Sequence, residues 1–116
     1  MRREEYLDAA REFARDALRG RAPPVVIQNA HKAVEFALMV YSIDSKGPMP
    51  RDHWQTKNLA YRISKDFGKK FGTLMEYYLG AYRGEDGDRA ERARKLMVEL
   101  LKELEGYVGE TLVPSE

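Results

Sequence analysis

PPVVIQNAHKAVEFALMVYS, residues 23–42, is the stretch whose reading decides the fold. Its paired prolines suit a first helical turn, where the missing N–H has no intrahelical partner. The spacing then predicts a helix from about Pro24 to Ser42. Its core arc is Val26, Ala30, Ala33, Val34, Ala37, Leu38, Val40 and Tyr41, and the small residues let a neighbouring helix approach closely. Gln28, Asn29, His31, Lys32 and Glu35 interrupt the apolar run, so it is not a membrane span, which needs about 20 mostly apolar residues.

At about 100° per residue, Gln28, His31, Lys32 and Glu35 share one stripe opposite that arc. Such a stripe is ordinarily a solvated helix face. It is also a candidate recognition surface or part of an acid–base site. His31 and Glu35 lie one turn apart, a spacing compatible with metal ligation. Bundle di-iron sites, however, need Glu-x-x-His on each of two helices, and neither of the two histidines follows a Glu by three residues. His-Glu-x-x-His is absent as well, so no metal and no cofactor are expected.

Upstream, Tyr6, Leu7, Ala9, Ala10, Phe13, Ala14, Ala17 and Leu18 form the apolar side of a helix over 2–19. Gly20 follows as a left-handed C′ residue. Downstream, the loop 44–51 is marked by Gly47, Pro48 and Pro50, and Asp52 is placed to cap a third helix over 53–66. Gly68 and Gly72 blur the next boundary, and a fourth helix is expected over 70–82. The turn 83–87 separates it from a fifth helix over 88–107, capped by Asp88 and supported by a Glu91–Lys95 surface pair. The last residues are expected to fray.

These elements amount to an all-α, antiparallel up-and-down bundle of about five helices. One domain is expected over 1–116, with its core at about 4–107. An apolar fraction of 43% is in the globular range, and 34% charged residues imply surfaces dense in ion pairs. A net charge of +1 excludes an extreme whole-surface field but leaves room for a local patch. With no cysteine there is no disulfide, thiolate or sulfur-bound zinc, and a cytoplasmic setting is expected. The charged start Met1-Arg2-Arg3-Glu4-Glu5 is unlike a signal peptide.

The segment 51–70 carries that local patch. Arg51, Lys57, Arg62, Lys65, Lys69 and Lys70 stand against Asp52 and Asp66, a local charge of +4. Cations neutralise phosphates, and exposed aromatic rings stack on bases. Trp54 and Tyr61 lie among these charges, but a lone Trp in a small bundle is expected in the core. Phosphate-loop, dinucleotide and nucleophile-elbow motifs are all absent, so the residues themselves argue against a familiar enzyme. Met39, Tyr77 and Tyr82 are apolar positions left over from the five-helix core and suit a dimer interface.

Four features in order resemble the HEPN family of small helical domains. They are the alanine-rich second helix with Lys32-Ala33-Val34-Glu35-Phe36-Ala37-Leu38-Met39, and the loop Pro48-Met49-Pro50-Arg51-Asp52-His53. A shorter helix with Leu59 follows, and then Leu79-Gly80-Ala81-Tyr82-Arg83, a turn, and the long helix through residues 90–101. The resemblance spans about residues 4–104. It implies a bundle that homodimerises, works near nucleotides or nucleic acid, and pairs with a nucleotidyltransferase in a toxin–antitoxin setting. HEPN ribonucleases carry Arg, four to six residues, then His. Arg83 is in place, but no histidine follows His53. The expectation is a non-catalytic branch whose ligand-binding residues are Gln28, His31, Lys32, Glu35, Arg51, His53, Lys57 and Arg62. The alternatives are a ribonuclease with an atypical site built from His53, Arg83 and His31, or a purely structural interaction module.

Overall fold

The computed structural model describes residues 1–85 and 87–115. Asp86, expected in the 83–87 turn, lies outside the described residues. Among the described residues five helices follow in order: α1 (Arg3–Arg19), α2 (Pro23–Asp44), α3 (His53–Ile63), α4 (Lys65–Ala81) and α5 (Arg89–Val108). No strand occurs among the described residues, so the chain is an all-α bundle. None of these helices is long and apolar enough to cross a membrane.

The bundle is organised around α2, which packs against each of the other four helices. Val26, Ile27, Ala30, His31, Ala33, Val34, Ala37, Leu38, Val40 and Ser42 are buried, and at about 100° per residue they fill one broad half of the helix. The expected core arc was therefore too narrow, and the expected stripe is not fully solvated. His31 is fully buried, and Gln28, Lys32 and Glu35 are half-buried. The buried arc is wider than expected because His53 of α3 and Phe71 and Tyr78 of α4 pack against the flank that carries His31.

Local chemistry sets the ends of the elements. Pro23 occupies the first turn of α2, and the Asp52 carboxylate accepts from the Gln55 N–H at 2.8 Å to cap α3. The break between α3 and α4 falls earlier than the glycines suggested. Ser64 is extended, and its hydroxyl accepts from the Phe67 N–H at 2.9 Å, so α4 begins at Lys65. Gly68 lies inside α4, where an added Cβ would sit 2.4 Å from Cγ of Tyr61. That glycine lets α3 and α4 touch rather than separating them. Gly20 is likewise extended (φ −65°), not left-handed. An added Cβ there would lie 2.9 Å from the Asp16 carbonyl, so close approach explains this glycine.

Three further expectations change at α5. Asp88 makes no capping hydrogen bond and instead pairs with Arg92 at 3.4 Å. Glu91 pairs with Arg94 rather than Lys95, and Arg94 also donates to the carbonyls of Ala17 and Gly20 at the end of α1. The residues after α5 are docked, not frayed. Leu112 is buried, and the Glu105 carboxylate accepts from the N–H groups of Leu112 (2.8 Å) and Val113 (3.0 Å). Arg3 ties the start of α1 to the end of α2 through Asp44 at 2.7 Å and to the segment after α5 through Glu110 at 2.9 Å.

Candidate functional site

The outer face of α3 is the most unusual surface of the molecule. Thr56, Leu59 and Ala60 turn inward, so residues at other helical phases must face solvent. Trp54 is among these, and it is 69% exposed. The core position expected for the lone Trp is thus corrected: α3 lies at the edge of the bundle and buries only a narrow face. Trp54, Asn58, Tyr61 and Arg62 follow at i, i+4, i+7 and i+8, and all four are exposed. Large aromatics in water cost hydrophobic free energy and point to an interaction surface.

A cleft of about 590 Å³ borders this face, between the loop 48–51 and α3. Arg51, Gln55, Asn58 and Arg62 supply its polar lining, and Met49 and Leu59 its apolar lining. Its mouth is shaped by local bonds: the Gln55 side-chain oxygen accepts from the Arg51 N–H at 2.8 Å. Arg51, Arg62 and Lys65 enter no ion pair among the described residues, leaving their charges available. Lys70, by contrast, is held by Asp66 (3.1 Å) and Glu99 (3.3 Å). Of the six cations of the +4 segment, Lys70 is thus neutralised near α5, and Arg51 and Arg62 are the two that line the cleft.

A second cluster lies on the far side of Arg51. His31 from α2 sits in a ring stack, with its centroid 4.2 Å from Tyr78 and 5.4 Å from Phe71 of α4. Neither of its ring nitrogens has a hydrogen-bond partner among the described residues. Burial, reinforced by the nearby His53 and Lys32 charges, lowers its pKa to about 3, so the ring is neutral. His53, the first residue of α3, packs edge-on to His31 at 5.5 Å and places Nδ1 3.4 Å from Oε2 of Glu35. Burial raises the Glu35 pKa, while His53 and Lys32 act against the rise. Tyr78 continues the chain of rings to Tyr82, their hydroxyls 3.2 Å apart. That hydrogen bond, together with burial, raises the Tyr78 pKa to about 12.

The sequence-derived candidates thus separate into groups. Arg51 and Arg62 share the cleft, and His31, Glu35 and His53 converge next to it. Lys57 leaves the cleft and lies along the α3–α4 seam, its Cε 3.3 Å from where a Cβ on Gly72 would be. Lys32 extends toward α1, its ammonium 5.6 Å from the Phe13 ring centre. Gln28 is half-buried near the start of α2. Arg83 is taken up by Glu85 at 3.1 Å in the α4–α5 turn. Of the leftover apolar positions, Tyr77 lies under Arg89 at 5.2 Å, and Met39 lines a small cleft with Glu35 and His53. Tyr78 was overlooked as a site neighbour because its spacing from Phe71 and Leu74 is that of an ordinary core residue.

No protein-family model matches the chain, no curated protein matches it, and no solved structure matches it.

Proposed function

We propose that this chain is a non-catalytic, HEPN-like binding module that holds a nucleotide or single-stranded nucleic acid against the outer face of α3. The observation that carries the reading is Trp54, an exposed aromatic ring on α3, the helix whose Gln55, Asn58 and Arg62 line the cleft with Arg51. Single-stranded nucleic acids are bound where a cationic groove tracks the backbone and aromatic rings stack on bases, each stack contributing about 1–3 kcal/mol. The cleft volume of about 590 Å³ is in the range that accommodates one nucleotide. The order of sequence motifs adds the expectation of a homodimer and of a nucleotidyltransferase partner, and Tyr82 and Leu79 supply exposed apolar surface for either.

The ribonuclease alternative draws on His31, His53 and Arg83. It is the weaker reading, because a neutral buried imidazole and an arginine engaged by Glu85 make a poor acid–base and phosphate-holding set. The test is fluorescence anisotropy with labelled single-stranded RNA and DNA oligonucleotides and with a labelled nucleotide. The reading expects saturable binding that weakens with salt and falls at least about tenfold in Arg51→Ala combined with Arg62→Ala. Binding absent from wild type, or unchanged in that double variant, sinks it. Intact oligonucleotides after incubation separate it from the ribonuclease reading.

A further inference from the structure

We propose that His31, Glu35 and His53 form a binding site for a divalent transition-metal ion of the zinc class. One ligand atom from each of these residues lies within 4.8 Å of the other two. Two imidazoles and a carboxylate are an established donor set for zinc, with water completing the coordination. A tetrahedral ion with bonds of about 2.1 Å holds its donors about 3.4 Å apart, so a modest inward movement completes the geometry. The Glu35–His53 pair, at 3.4 Å, already has that separation.

An independent observation is the state of His31. It is fully buried, and both ring nitrogens are unpartnered. An unsatisfied buried polar group costs about 1–3 kcal/mol, and a metal bond to one nitrogen removes part of that cost. The ring is neutral, which is the form that ligates. A metal-bound imidazole usually donates its other N–H to a carboxylate or carbonyl, and among the described residues none accepts from His31. Stacking against Tyr78 at 4.2 Å fixes its plane instead.

Access also fits. The His53 side chain is 46% exposed, and the cleft of about 430 Å³ that it lines with Glu35, Met39 and Thr56 opens a path for the ion. Lys32, over the Phe13 ring, and Arg51, on the same cleft, are the nearby cations whose charge an ion has to overcome. An α2 pair (His31, Glu35) and an α3 residue (His53) are brought together by folding, so the site links the central helix to the edge helix. This inference does not depend on the nucleic-acid reading.

The experiment uses untagged protein stripped with a chelator, titrated with Zn²⁺ against a chromophoric competitor and with Co²⁺ for its visible spectrum. One zinc per chain is expected, a four- or five-coordinate cobalt spectrum, and a thermal midpoint that rises with zinc. Loss of mere supporting groups costs metal sites about 10–100-fold, so Glu35→Gln and His53→Ala should each weaken zinc at least about tenfold. Both positions are partly exposed, so these variants should fold, and circular dichroism checks that they do. The absence of saturable zinc uptake overturns the proposal. So does equal affinity in wild type and both variants, or Mg²⁺ binding as tight as Zn²⁺.

Discussion

His31 and Tyr78 lie ring over ring, with centroids 4.2 Å apart and planes 14° from parallel. The imidazole fills an aromatic slot in the core without satisfying either of its nitrogens. A phenyl ring is likewise flat, though larger, and has no polar atoms to desolvate. His31→Phe should therefore stabilise the metal-free chain by about 1–3 kcal/mol less the cost of fitting the larger ring, measured by denaturant unfolding. Destabilisation by more than about 3 kcal/mol, the upper cost of overpacking, would mean that the nitrogens are engaged after all. The same variant should take up no zinc.

The metal-free protein should also lose stability in mild acid. The folded-state pKa of His31 is lowered to about 3, against about 6.5 when unfolded. Below pH 6.5 the unfolded chain therefore binds a proton that the folded chain refuses, and stability falls as pH falls. By pH 5 this linkage costs about 2 kcal/mol. Glu35, with its pKa raised, works in the opposite sense by taking a proton first in the folded state. His53, Lys32 and Tyr78 also border His31, so the comparison is wild type against His31→Phe in chelator. The variant's profile should be flatter between pH 7 and 5. Parallel profiles would contradict the assignment.

The α3–α4 contact predicts a specific rescue. Gly68→Ala drives a methyl into the Tyr61 ring and should cost about 1–3 kcal/mol. In a Tyr61→Ala background the same change should be much less harmful, so a double-mutant cycle should show coupling above about 0.5 kcal/mol. Additive effects would mean that the two helices do not meet at this point.

The terminal segment should matter to stability. Leu112 is buried, and its N–H is held by Glu105. Leu112→Ala should cost about 2–5 kcal/mol by chemical denaturation. A change within about 0.5 kcal/mol would show that the segment after α5 is not packed.

What the sequence revealed follows from which elements sit at the edge of the bundle. The periodicities of α1 and α5 were legible because each buries one stripe. α2 was legible only in part, since its buried arc covers about half the helix and His31 lies near the edge of that arc, where a narrower arc leaves it outside. The α3–α4 break was hidden because a serine cap at Ser64 is a weaker signal than Gly68, whose role is contact with Tyr61. Trp54 was misplaced by the general habit of tryptophan, which says nothing about a peripheral helix. The meeting of His53 with His31 and Glu35 depends on tertiary packing across the 44–51 loop, and no local motif encodes it.

Trp54 is the only tryptophan, so its fluorescence reports directly on the face assigned to ligand binding. Titration of the wild-type chain with single-stranded oligonucleotide at low salt is the most direct test. The account predicts saturable quenching, lost when Arg51 and Arg62 are both replaced by alanine and reversed by added salt. Emission that stays unchanged while the oligonucleotide is shown by anisotropy to bind would contradict the assignment to α3, and no binding at all would contradict the function.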